Sequence, residues 1–140
     1  MLYTLWIFGL LVAAAARDLR TGQVEDVFPG TIALSGVTHH LVLSAASGSW
    51  FPVFVSIAVG LVCTAIGVYT ARKELWGEAD ALLLGAVGFA FPEFQAFLIG
   101  AVGATWIAYV YAWKYVTGED VAHVVPAFPV AVLILHVLLG

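Results

Sequence analysis

Six apolar stretches, at roughly 2–17, 28–46, 51–71, 76–91, 94–114 and 122–139, are separated by short breaks, and the charge falls in these breaks or near the ends of the stretches. That pattern leaves few ways to fold. A chain that is 63% apolar and 10% charged cannot hide so much apolar surface within one small domain, so lipid is the expected solvent for most of it. Crossing a hydrocarbon core of roughly 30 Å takes about 20 helical residues. The first and fourth stretches are shorter, and are expected to sit in thinned bilayer or to stop below one surface. The length of 140 residues predicts a single domain, residues 1–140, in which every helix joins one bundle.

The five basic residues fall in alternate breaks: Arg17 and Arg20 after helix one, Arg72 and Lys73 after helix three, Lys114 after helix five. By the positive-inside rule these three loops face the cytoplasm and both termini lie outside. The predicted fold is therefore an all-α integral membrane protein, a compact bundle of six transmembrane helices in the cytoplasmic membrane, with its charged loops cytoplasmic. Asp18, Glu25, Asp26, Glu74, Glu78, Asp80, Glu119 and Asp120 flank the same helix ends, while Glu93 alone sits in an outer loop.

No basic stripe suited to nucleic acid is present, which excludes that partner. The single cysteine, Cys63, lies within an apolar run and offers neither a disulfide nor a metal clip. Met1-Leu2-Tyr3 leads into the first apolar stretch without a basic segment, so helix one is expected to remain in the mature chain. Small residues at four-residue spacing, Ala81 with Gly85 and Gly100 with Ala104, are expected to bring helix backbones close together.

Two carboxylates stand out. Asp18 follows Ala13-Ala14-Ala15-Ala16 and Arg17, on the last turn of helix one, where the helix dipole is already negative. Arg17 and Arg20 nearby supply the bland explanation, a solvated acid beside snorkelling arginines. Asp80 follows Gly77-Glu78-Ala79 at the start of helix four, where a first-turn acid favours the helix on its own account. The expected topology brings both to the cytoplasmic surface, and Gly77 and Ala79 leave the backbone there bare. Two carboxylates meeting in a low-dielectric site cannot both ionise easily and would share one proton. One then activates water while the other hydrogen-bonds a peptide carbonyl, so hydrolysis needs neither metal nor other cofactor.

The segment Gly77-Glu78-Ala79-Asp80-Ala81-Leu82-Leu83-Leu84-Gly85 resembles the GxGD signature of intramembrane aspartic proteases, with Ala79 in place of the second glycine. Asp18-Leu19-Arg20-Thr21-Gly22-Gln23-Val24-Glu25-Asp26 is similar to the loop after helix one of type IV prepilin peptidases. Pro126-Ala127-Phe128-Pro129 resembles the start of their last helix and the PALP element of presenilins. In order and spread these segments resemble the type IV prepilin peptidase and archaeal preflagellin peptidase group. The resemblance implies Asp18 and Asp80 as catalytic aspartates, and substrate contacts from Gly77, Glu78, Ala79, Pro126 and Pro129. It implies pilin-like or archaellin precursors as substrates, cut after a short basic leader at the cytoplasmic face. Glu25, Asp26, Glu74 and Glu78 are placed to attract such a leader. Without a cysteine-rich insert the chain resembles the peptidase-only archaeal form, for which no methyltransferase activity is expected.

Two other readings stay open. A small carrier or channel would use the carboxylates as cation or proton ligands, and would want them near mid-bilayer. A non-catalytic homologue would keep the bundle and lose the chemistry. Adjacent His39 and His40 point about 100° apart on a helix, which suits packing or interhelical hydrogen bonds better than one metal. His123 falls near the start of helix six and is expected at the interface, and His136 is given no role. Trp6, Trp50, Trp76, Trp106 and Trp113 are expected in part as interfacial anchors.

Overall fold

The computed structural model describes residues 2–73, 77–118 and 125–139. Glu74, Trp76, Glu119, Asp120 and His123 lie outside the described residues. The chain is all-α: α1 (Leu2–Thr21), α2 (Val27–Ser47), α3 (Phe51–Arg72), α4 (Glu78–Ala90), a single 3-10 turn at Pro92–Phe94, α5 (Gln95–Thr117) and α6 (Ala127–Leu139). Among the described residues, α1 and α3 are long and apolar enough to cross a membrane. Large apolar side chains face outward along the bundle, Leu34, Phe54 and Leu61 among them.

Helix one is longer than expected. The polar run Arg17–Thr21 continues it for a full turn, because arginine and leucine are good helix formers and no breaker comes before Gly22. Helix four is shorter, at 13 residues, or about 20 Å. It stops because Phe91 precedes Pro92, and a residue before proline is pushed out of the helical region; Phe91 has φ −131° and ψ 65°. Helix six starts at Ala127 rather than near 122, with Pro129 tolerated in its first turn, where a backbone N–H has no partner to lose.

Short as it is, α4 is the centre of the molecule. It packs chiefly against α3 and then α2, while α6 bridges α5 to α1. Leu83, Leu84 and Val87 of α4 are fully buried with Ile7 and Leu11 of α1, Ile32 of α2 and Phe128 of α6. The approach is close because small residues face one another: a Cβ on Gly36 of α2 would stand 2.7 Å from the Phe89 carbonyl carbon, and one on Gly67 of α3 would stand 2.6 Å from the Ala81 carbonyl oxygen. The expected Ala81 and Gly85 spacing thus lies on the α3–α4 seam, where Gly85 packs on Thr64. The expected Gly100 and Ala104 pair does not do this: Gly100 has nothing within 4 Å of its Cβ position, and both residues are exposed.

A helix that ends inside a bundle leaves carbonyls without intrahelical donors. Three neighbouring helices supply them. Ser56 Oγ of α3 donates to Phe89 O at 2.7 Å, and Tyr3 Oη of α1 donates to Ala90 O at 2.9 Å. His40 Nε2 of α2 lies 3.4 Å from the same Ala90 oxygen, a donor in its Nε2–H tautomer. His39 stacks on the Tyr3 ring at 3.9 Å, so the two histidines do serve packing and interhelical bonding.

The glycine contacts give opposite signs for one substitution. Gly36→Ala and Gly67→Ala are each expected to destabilise the protein by about 1–3 kcal/mol through overpacking against backbone. Gly100→Ala is expected to stabilise it by up to about 1 kcal/mol, from helix propensity alone. Thermal unfolding of the three variants in detergent checks the contrast.

Candidate active site

The final turn of α1 carries Asp18 into the bundle, above the buried Ala14 and Ala15, and leaves the carboxylate 6% exposed. Gly22 then ends the helix: at φ 67° it takes the left-handed conformation that glycine tolerates best, and its N–H closes on Asp18 O at 2.7 Å. The chain turns back at once, and Arg17 donates to Glu25 Oε1 at 2.6 Å. That ion pair folds the α1–α2 loop over the end of α1. With both side chains about half exposed, it contributes under about 1 kcal/mol. It also engages one of the acids expected to attract a basic leader, and one of the arginines expected to offset Asp18.

Asp80 sits in the first turn of α4, 9% exposed. Its Oδ2 accepts the Gly77 N–H at 3.1 Å, satisfying one of the unpartnered amides at the helix start. This is half of a capping box, since glycine has no side chain to return the bond. A Cβ on residue 77 would stand 3.2 Å from the same oxygen, so glycine here leaves the carboxylate room.

Asp18 and Asp80 line one pocket of about 640 Å³. Gly77, Glu78 and Ala79 form one side of it, and Gly22, Gln23, Val24 and Asp26 of the α1–α2 loop form another. Leu82 and Val125 complete the described lining. The pocket thus brings together the two acids and the bare Gly77–Ala79 backbone singled out in the sequence. Pro126 and Pro129 are outside that lining: Pro126 lies in the turn before α6 and Pro129 is buried in its first turn. It is their neighbour Val125, 2% exposed, that reaches the pocket.

No protein-family model, curated protein or solved structure matches this chain. What the site can do is therefore argued from its own atoms. Two buried carboxylates sharing a polar cavity can divide a proton and act as paired acid and base.

Some residues around the site were not legible in the sequence. Gln23, Val24 and Leu82 carry no motif of their own, and only the return of the α1–α2 loop and the emergence of α4 put them there. Tyr109 of α5 lies within electrostatic reach of Asp18. Its hydroxyl, with Nε1 of Trp106 and Trp113, is buried without a hydrogen-bond partner among the described residues. Their spacing of three and four residues puts all three on one face of α5. Trp106 and Trp113, expected in part as interfacial anchors, thus turn their polar atoms inward. Trp50 and Trp6 are exposed, and Trp6 donates to Ser35 Oγ at 3.2 Å.

The Arg17–Glu25 clasp predicts a small effect of known character. Arg17→Ala and Glu25→Ala should each cost under about 1 kcal/mol. A double-mutant cycle should return a coupling of the same size that shrinks as salt is raised from 0.05 to about 1 M.

Proposed function

We propose that this chain is an intramembrane aspartic endopeptidase of the prepilin and preflagellin peptidase type, embedded in the cytoplasmic membrane as six helices with both termini outside. The observation that carries this reading is the single pocket that holds Asp18 from the end of α1 and Asp80 from the start of α4, both buried. Acids are almost never buried unless paired, and these two, far apart in sequence, are buried and line one cavity.

In the proposed reaction the ionised carboxylate takes a proton from water, and the resulting hydroxide attacks the peptide carbonyl. The protonated carboxylic acid donates a hydrogen bond to the carbonyl oxygen as it gains charge, and its partner returns a proton to the leaving amine. Asp80 fits the role of base, since the Gly77 N–H and the positive end of α4 stabilise a carboxylate. Asp18 fits the role of acid, at the C-terminal end of α1 where the backbone already presents negative charge. The substrate class follows from the resemblance: pilin-like or archaellin precursors with a short basic leader. Asp26 and Glu78, both exposed at the pocket, support it by favouring a cationic segment.

The carrier reading is less well supported, because both acids belong to helix ends and not to mid-helix positions. The non-catalytic reading draws support from the Asp80–Gly77 bond, which gives Asp80 a structural task. Substitution by asparagine separates the two, since asparagine keeps an oxygen that can accept the Gly77 N–H but cannot exchange a proton.

Asp80→Asn and Asp18→Asn, purified folded, are each expected to lower cleavage of a pilin-like or archaellin-like precursor by at least about a thousandfold. Full cleavage by either variant would remove the proposal. The wild-type rate should also pass through a maximum with pH. At low pH both carboxyls are protonated and no base remains; at high pH both are ionised and no acid remains.

A further inference from the structure

The aspartate pocket continues sideways. A second cavity of about 350 Å³ runs between α2, α3 and α4, and it shares Asp26 and Leu82 with the pocket that holds the two aspartates. Gly30 and Ala33 of α2, Thr64 of α3 and Ala86 of α4 form its walls. From Leu82 at its mouth to Phe89 at its far end, it follows α4 for about 10 Å.

Its shape comes from a splay between helices. Gly36 of α2 is in backbone contact with the end of α4, yet at Gly30, less than two turns earlier, nothing lies within 4 Å of the Cβ position. A glycine in the exposed interior of a helix costs about 1 kcal/mol against alanine, and here no close packing among the described residues accounts for it. The walls are small and apolar. The Thr64 hydroxyl is turned onto its own helix, donating to Gly60 O at 2.7 Å, and so offers the groove no free proton. Leu82 is the one large apolar side chain of α4 that is exposed, at 41%. Asp26 at the mouth stands at the N-terminus of α2 without making a side-chain cap bond.

We infer that this groove is the docking site for the apolar helix of the substrate, seated so that the chain just before it passes into the aspartate pocket. The inference rests on the proposed peptidase activity and adds how the substrate is held. The occupant is an apolar helix that enters large side chains into holes floored by glycine and alanine, as helices associate in lipid. Its end nearest the aspartates carries positive charge, opposite Asp26. Continuity of the groove with the pocket is in keeping with the cut that the resemblance implies, after a basic leader.

Gly30→Leu fills the groove without meeting any atom of the described residues at its Cβ, so its unfolding midpoint should equal or exceed that of wild type. Its kcat/KM on a full-length precursor should fall at least tenfold, mainly through KM, while Gly100→Leu on the open face of α5 cleaves normally. In the Asp80→Asn background, a photo-crosslinking residue at position 33 should capture the apolar segment of the precursor, and adding Gly30→Leu should abolish capture. If wild type cleaves the precursor, and Gly30→Leu cleaves it equally well with no capture from position 33, the groove assignment is overturned and the peptidase reading stands. If wild type never cleaves the precursor, the peptidase reading is overturned, and with it the groove's role in holding a substrate, whatever position 33 captures.

Discussion

The structure depends on burying a helix that is too short. At 13 residues, α4 starts at the exposed rim of the pocket and ends at Ala90 inside the bundle, and each end presents backbone groups that no turn of its own can satisfy. Deep in apolar surroundings such groups are expensive to leave unpaired. The far end is resolved by Ser56, Tyr3 and His40 reaching the carbonyls of Phe89 and Ala90 from three different helices. The near end is resolved partly by Asp80 itself, through the Gly77 N–H. Fixing α4 along its axis in this way also fixes the height of Asp80 relative to α1.

That arrangement explains why a buried carboxylate at this position is tolerable. Asp80 is held by a backbone donor and by the helix end, while Asp18 arrives from the opposite direction on the last turn of α1. The loop that follows Asp18 is turned back by Gly22 and clasped by Arg17 and Glu25, so it closes over the acids and becomes a wall of their pocket. The small residues that let α4 sit between α2 and α3 are spent unevenly: Gly36 and Gly67 touch backbone, whereas Gly30 opens onto a groove. Close packing at one end of the seam and splay at the other produce a cavity beside the pocket and not a sealed core.

Much of the fold was legible because hydrophobic runs and breakers are local signals. The ends of α2 and α3 fall within a residue of the apolar boundaries, and Cys63, His39 and His40 took the packing roles their positions suggested. The errors have local causes as well. Apolar content alone extended helix four through Phe91, although Pro92 forbids it, and ended helix one at its first charge, although Arg17–Thr21 are helix-compatible. Spacing also made Gly100 and Ala104 look like a contact seam, because periodicity names a face without saying what lies against it.

The sequence by itself determined that this chain is all-helical, where most of its helices run, and that Asp18 and Asp80 stand at helix ends beside a bare backbone. These are properties of residue order, since propensity, apolar period and capping act over a few residues. Tertiary structure alone decided that the two acids share one pocket, that Val125 and not the neighbouring prolines reaches it, and that a groove leads away past Leu82 and Gly30. Those features depend on how far apart helix axes stand and how far each helix slides along its neighbour. Both quantities are set by side chains meeting across the bundle, and no stretch of sequence contains both partners.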